Sequence, residues 1–347
     1  MTKLLRFLSV FSLALLALSC KEDVDFYSDY KVIPAIYALF DSEADTNFVK
    51  ITKVFSTEGD PTVIAQDPNE VYYPEKLDVR LVEYRNKVWN REILLDTITV
   101  RKKDGLFPGP SQRLYYTDEK LRRNLPEANY SYELQVFIDR RIISSFVDMV
   151  GCPEFEIGSP HLNFLEEYFG MTRYIRFTPA TNAAIYNVMV YFHFKERRTP
   201  TGDTTEVFFP FINELIPLSD LAHTMDAKGY YNVGFHPENF YIGLAAFLGD
   251  DTLNESVQRY ITDAPLEIRV EAGGIDLLNY LVCHDENLAT SQSMPEIQSV
   301  GEGATGLVSS RAYTVKYGRF AGQTVPELVR RNWNFKYIGG RGCESCW

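Results

Sequence analysis

The segment Leu77-Asp78-Val79-Arg80-Leu81-Val82-Glu83-Tyr84, the turn Arg85-Asn86-Lys87 and the segment Val88-Trp89-Asn90-Arg91-Glu92-Ile93-Leu94-Leu95 decide the fold. Leu77, Val79 and Leu81 recur at every second position, the period of a strand with one face on a core. The polar turn reverses the chain into a second strand, so the pair reads as a hairpin. The same pattern continues outward on both sides. Upstream, Val32–Phe40 is an apolar run stopped by Asp41-Ser42, and Phe48–Phe55 alternates with Val49 and Ile51 on one face. Residues 57–70, rich in Gly, Asp and Pro, read as a loop. Downstream, Gln112–Thr117, Tyr130–Ile138 and Arg141–Met149 add strands, the second with Tyr132, Leu134, Val136 and Ile138 facing one way.

Short strands at this spacing, punctuated by turn residues and without helical periodicity, predict an Ig-like antiparallel β-sandwich over residues 31–150. The Cys-Trp-Cys signature of antibody domains is missing. Gly151-Cys152-Pro153 opens a boundary, with 151–165 as the linker region, and the remaining residues mix element types. Tyr174–Phe177, Ala184–Lys195, Val207–Phe211, Leu266–Glu271, Gly306–Tyr317 and Asn334–Ile338 read as strands, the second and third joined by a polar hairpin over Arg197–Thr205. Glu238–Leu248 reads as a helix stopped by Gly249, and Ile275–Cys283 as a short helix after Gly273-Gly274. Thr324-Val325-Pro326-Glu327 has the form of a capping box. Residues 151–347 are therefore expected to form an α+β domain, an antiparallel sheet with a few short helices, in a chain that is mainly β.

The first residues carry an address. Met1-Thr2-Lys3-Leu4-Leu5-Arg6 is basic, and the apolar run Phe7–Leu18 follows. That run is about 12 residues, a signal-peptide length and short of the roughly 20 that span a bilayer as a helix. It ends Leu16-Ala17-Leu18-Ser19-Cys20, a small residue directly before a cysteine. Residues 1–19 are read as a lipoprotein signal peptide, Cys20 as the lipidation site, and residues 20–30 as a lipidated tether. Two or three acyl chains of palmitate length suffice for stable anchoring when each buried CH₂ contributes about 0.8 kcal/mol.

Composition limits what such a protein binds. The chain has 347 residues, 45% hydrophobic and 14% aromatic, with a formal net charge of −12. Loss of Lys3 and Arg6 with the leader makes it more acidic still. Nucleic acid is excluded as a partner because its phosphates would be repelled, and attachment to anionic lipid must come from the anchor.

Candidate chemistry is sparse. Cys343-Glu344-Ser345-Cys346 is a C-x-x-C, but no helix follows to stabilise a thiolate. Cys343, Cys346, Cys152 and Cys283 are disulfide candidates, with three possible pairings. The histidines His161, His193, His223, His236 and His284 form no metal-ligating pattern, and His193 reads as a face residue of an aromatic strand. Glu166-Glu167 and Asp250-Asp251 are adjacent acids, which says nothing of the spacing across a sugar that a glycosidase needs. Gly301-Glu302-Gly303-Ala304-Thr305-Gly306 spells G-x-G-x-x-G without the strand-loop-helix context of a nucleotide loop. Tyr115-Tyr116, Tyr230-Tyr231 and Trp333 are the candidate stacking surfaces for a sugar. No catalytic residue, metal site or cofactor is assigned.

Four stretches carry a resemblance. Ala35–Asp41 and Phe48–Phe55 resemble the opening of a family of uncharacterised Bacteroidetes outer-membrane lipoproteins with an Ig-like N-terminal domain. Glu302–Arg311 is similar to the G-x-G-(L/I)-F-x-S-R stretch of that family, from which Ala304, Thr305 and the missing aromatic depart. Lys21-Glu22-Asp23 resembles the surface-export signal of Bacteroidetes lipoproteins. The resemblance implies an outer-membrane location, exposed on the cell surface or facing the periplasm, and a domain plan, but no activity. The function expected is a non-enzymatic binding or accessory module for a protein partner or nutrient, with an outer-membrane transporter or other envelope protein among its partners. A hydrolase of extracellular glycan or peptide and a structural envelope-assembly component are the alternatives.

Overall fold

The computed structural model describes residues 32–55, 63, 65–101, 111–125, 127–156, 162–199, 202–284, 299–320 and 323–338. The signal peptide, Cys20, the tether and the Cys343–Cys346 pair lie outside the described residues. The chain is mainly β, with antiparallel sheets and a few short helices. No helix among the described residues is long and apolar enough to cross a membrane.

Eight strands build the first half: β1 (Val32–Asp41), β2 (Asn47–Phe55), β3 (Asp78–Arg85), β4 (Val88–Leu94), β5 (Asp96–Arg101), β6 (Ser111–Thr117), β7 (Tyr130–Ile138) and β8 (Arg141–Asp148). They pair as β1-β2-β6-β5 and β4-β3-β7-β8. In chain order this is the A-B-E-D and C′-C-F-G arrangement of an immunoglobulin-like sandwich. The β3–β4 and β7–β8 hairpins close through Asn86-Lys87 and Asp139-Arg140, all four at positive φ, the two-residue turn that matches strand twist. Ile36, Phe40, Val49 and Ile51 of one sheet meet Val79, Leu81, Leu134 and Val136 of the other in a dry core.

The second half is organised by the long strand β10 (Ile185–Arg198), after the short β9 (Arg173–Phe177). One edge of β10 carries β11 (Thr204–Pro217). Its other edge carries first β14 (Leu266–Gly273) and then β13 (Val257–Ile261), which pairs in parallel with β16 (Phe335–Tyr337). The strand β12 (Tyr231–Phe235) pairs with β9 as a separate ribbon. Tyr186, Val188, Val190, Phe192 and Phe194 of β10 point inward, where the helix Pro237–Leu248 lays Phe240, Leu244 and Leu248 on them. A bulge opposite Val190 and Tyr191 leaves Phe211 as an extra residue on β11. Its ring lies edge-on to Phe164 at 5.3 Å and to Phe240 at 5.6 Å.

Arg259 is fully buried in this half and is satisfied throughout. It donates to Glu196 Oε2 at 3.2 Å, Trp333 O at 2.8 Å and Asp251 O at 2.9 Å. The predicted capping box does not form: no side chain caps the Thr324–Arg330 helix. Thr324 Oγ1 instead accepts from Phe164 N at 3.3 Å, and Glu327 accepts from Tyr241 and from Glu166 N. Burial gave both side chains tertiary partners in place of the local ones.

Strands from both sides of residues 150 and 151 share one continuous sheet. The strand β15 (Thr305–Gly318) pairs in parallel with β1 from Ala35↔Thr305 to Asp41↔Arg311, and antiparallel with β14 from Gly273↔Arg311 to Leu266↔Gly318. Val308 therefore belongs to the first core and Ala312 to the second. The seam is hydrogen-bonded: Ser310 Oγ donates to Asp148 O at 2.7 Å and accepts from Val150 N at 3.1 Å, while Arg311 pairs with the buried Asp41 at 3.1 Å. The glycines of the G-x-G-x-x-G run serve this seam. A Cβ on Gly301 would sit 2.4 Å from Ser144 O, and one on Gly306, at φ +124°, 2.0 Å from Ile36 O. Gly306→Ala should therefore cost about 3 kcal/mol through strain and displaced strands, read as a lower urea midpoint. A midpoint within error of wild type would show that β1 and β15 are not packed so closely.

Candidate functional site

Because β-strand side chains alternate, packing one face of β10, β14 and β15 into the core forces the other residues outward onto one surface. That surface carries Asn187, Met189, Tyr191 and His193 from β10, Glu267, Arg269 and Glu271 from β14, and Tyr313, Val315 and Tyr317 from β15. Phe208 of β11 stands opposite His193. Across the strands, Tyr191, Glu267 and Tyr317 form one row, and Asn187, Glu271 and Tyr313 another, with Met189, Arg269 and Val315 as the row between them and one residue of each strand intervening.

The charged groups of this face are recessed. His193 and Glu267 side chains are only 17% and 19% exposed, whereas Tyr317 is 64% and Phe208 50% exposed. The result is a trough with a charged floor and aromatic walls. His193 Nε2 lies 3.1 Å from Glu267 Oε2, at an angle that leaves the nitrogen without an aligned hydrogen bond. The His193 ring meets Phe208 edge-on at 4.7 Å. Arg269 pairs with Glu271 at 2.6 Å and lays its guanidinium 4.2 Å from the Tyr313 ring centre. Asn187 Oδ1 and Arg269 Nε join His193 Nε2 as buried polar atoms that no protein group satisfies. All three atoms are closed off from solvent by the side chains around them, so what this face offers outward is its partly exposed carboxylates and aromatic rings.

Glu267 and Glu271 are the only acids of the floor among the described residues, and they stand four positions apart on one strand with Arg269 between them. Their Cα atoms are about 13 Å apart along the strand. Among the described residues no group of three or more His, Cys, Asp or Glu side chains could hold a metal ion.

The residues singled out in the sequence fall elsewhere. Tyr115 and Tyr231 are buried, Tyr115 accepting from Leu77 N at 2.9 Å, so neither tyrosine pair makes an open platform. Trp333 is half-buried, with the Arg331 guanidinium 5.7 Å from it and 3.9 Å from Tyr241. Glu166 pairs with Arg331, and Asp251 with Arg198. No disulfide joins Cys152 to Cys283, and Cys152 donates to Tyr313 O at 3.1 Å. His236 precedes the Pro237–Leu248 helix, and His223 is the middle residue of the 3₁₀ turn Ala222–Thr224. His161 and the His284 side chain lie outside the described residues. His193 is on a sheet face as its strand position predicts, but Glu267, Arg269, Tyr191, Tyr313 and Tyr317 were invisible as a set, since only the pairing of three distant strands assembles them.

Two further surfaces lie away from the trough. A groove of about 560 Å³ between Thr262–Pro265 and the Thr324–Arg330 helix is lined by Phe320, Val325, Val329 and Tyr337, with Arg319 and Asp263 beside them. The outer face of β4-β3-β7-β8 exposes Trp89, Leu94, Ile142 and Phe146. Neither sets recessed ion pairs between exposed aromatics, as the trough does. Compared with known proteins, the chain matches no family model and no curated relative.

A polar cluster at the end of the sandwich is structural. Glu83 is fully buried on β3 and accepts from Tyr132 at 2.6 Å, from Arg91 at 3.0 Å and from Asn90. Tyr132 in turn accepts from Arg122 N at 2.9 Å, pinning the approach to β7 in the manner of a tyrosine corner. Burial alone would raise the Glu83 carboxyl, but the hydrogen bonds from Tyr132, Arg91 and Asn90 and the Arg91 charge outweigh it and hold the group below its usual range. A carboxyl depressed on folding contributes stability above its unfolded pKa and loses it as pH falls through the folded one. Glu83→Gln should thus cost about 1–3 kcal/mol at pH 7 and flatten the loss of stability below about pH 4.5. Equal acid sensitivity in the two proteins would remove Glu83 from that role.

Proposed function

We propose that this chain is a lipid-anchored protein of the outer membrane, exposed on the cell surface, that captures a ligand non-covalently on the outer face of its central sheet. The observation that carries the reading is the trough, in which recessed charges lie between the exposed aromatics Tyr317 and Phe208. The membrane part rests on the leader and Cys20. Binding is favoured over hydrolysis because the two floor carboxylates are lined up along β14 and each already faces a basic partner. An acidic protein held by acyl chains keeps its body off an anionic surface, leaving the sheet face open to solutes and to a transporter beside it.

The test is protease treatment of intact cells expressing wild type or Cys20→Ala. Wild type should be cleaved on whole cells and sediment with outer membranes, and Cys20→Ala should leave the membrane fraction. Protection of wild type until the outer membrane is broken would place the protein on the periplasmic face. Membrane retention of Cys20→Ala would remove the anchor.

A further inference from the structure

We infer that Asp148 and Asp276 line a pocket for an organic cation, an ammonium or guanidinium carried on an aliphatic stem. The pocket shares no lining residue with the trough and stands whether or not that face binds a ligand. Four distant parts of the chain build it: Asp148 at the end of β8, Asn182 in the loop before β10, Asp276 in the first turn of the helix Ile275–His284, and Ser309 of β15. Together they line a cavity of about 250 Å³.

Every polar side chain of this lining has an oxygen to spare. Among the described residues neither the Asp148 nor the Asp276 carboxylate has a hydrogen-bond or ion-pair partner. Asn182 donates its side-chain N–H to Met149 O at 3.1 Å, which leaves Oδ1 open. Ser309 is only 2% exposed and its hydroxyl has no protein partner, yet that oxygen is not among the sealed polar atoms. It therefore opens on the cavity that it lines. A hydroxyl so deeply placed is normally hydrogen-bonded, so a polar group from outside has to satisfy it.

The sign of the ligand follows from the two acids. Burial first, and then the charge of Asp148, hold the Asp276 carboxyl above its usual range, so an entering cation relieves a repulsion already present. The helix start contributes about half a positive charge, too little to reverse two full negative ones. At long range the net charge of −12 draws cations toward the protein.

Size and rim decide between a metal and an organic cation. A calcium ion takes about six to eight oxygen ligands, and this cavity offers four oxygen-bearing side chains. Among the described residues no group of three or more His, Cys, Asp or Glu side chains could hold a metal ion. Phe146 and Ile275, 63% and 55% exposed, line the same cavity. An aliphatic stem packs on them while its charged head reaches the carboxylates, as lysine and arginine side chains do at surfaces, and the Phe146 ring adds a cation–π contact.

The experiment is fluorescence anisotropy of dansylcadaverine, a fluorophore on an aliphatic ammonium, titrated with the full chain carrying Cys20→Ala. Binding should saturate at one site. Acetyl-Gly-Lys-Gly-amide, acetyl-Gly-Arg-Gly-amide and spermidine should compete, and the uncharged acetyl-Gly-norleucine-Gly-amide should not. Stronger competition by the basic peptides identifies a partner protein's side chain as the source of the cation, and stronger competition by spermidine a free polyamine. Asp148→Asn and Asp276→Asn should each weaken binding at least tenfold and keep the wild-type urea midpoint, since neither carboxylate has a partner to lose. Phe146→Ala, a change at an exposed side chain, should weaken binding at least threefold and tests the pocket even if an Asn variant fails to fold. Glu267→Gln, in the trough, should leave binding unchanged. Three results overturn the assignment: no saturable binding, binding untouched by both Asn changes, or displacement by calcium chloride but not by the lysyl peptide.

Discussion

The strand Thr305–Gly318 carries the backbone hydrogen bonds of two cores, and everything else is arranged around that sharing. Its first residues pair with the N-terminal strand Val32–Asp41 and its last with Leu266–Gly273, the handover falling at Arg311. Each partner would otherwise present an open edge, an array of unpaired N–H and C=O groups that invites aggregation. The close approach needs Gly306, because Ile36 O occupies the space a side chain would take. Asp41, nearly fully buried, answers Arg311 across the same point. The salt bridge, the Ser310 contacts and the parallel ladder tie the immunoglobulin-like half to the rest as one continuous sheet.

That constraint also produces the candidate site. Once Ala312, Val270, Ile268 and Val190 are committed to the inner core, the two-residue period leaves no choice about what faces outward. Tyr313 and Tyr317, Arg269 and Glu267, and Tyr191 and His193 come to one surface from three parts of the chain. A slip of one residue in the pairing of Leu266–Gly273 would bury Glu267 and Arg269 and expose Ile268 and Val270. The register of the central sheet and the integrity of the trough are thus the same fact.

Much of this was legible one strand at a time. The alternation in Leu77–Tyr84 and Tyr130–Ile138, the turns at Asn86 and the stop at Gly249 are local signals, and the local structure obeys them. The capping box at Thr324 was equally local and failed, because Phe164 N and Tyr241 offered those side chains buried partners that a peptide would lack. The strands Asp96–Arg101, Tyr231–Phe235 and Val257–Ile261 went unread: each is short, and each is stabilised by neighbours rather than by its own pattern. The parallel ladder between residues 35–41 and 305–311 leaves no trace in either segment. The Gly-rich run showed that something close passes by, not what. The same holds for the trough: abundant tyrosine was visible, but Tyr115 and Tyr231 went to the core, Tyr191 and Tyr313 are half-buried and Tyr317 went to the surface.

Site-resolved hydrogen exchange of backbone amides under native conditions tests the shared strand most directly. If one strand holds both cores, the hydrogen-bonded amides of residues 305–311 and 311–318 exchange with a single opening free energy close to that of global unfolding, and slow amides of the N-terminal strand open with them. Two distinct opening energies that divide at Arg311 would contradict the account and make the halves independent bodies.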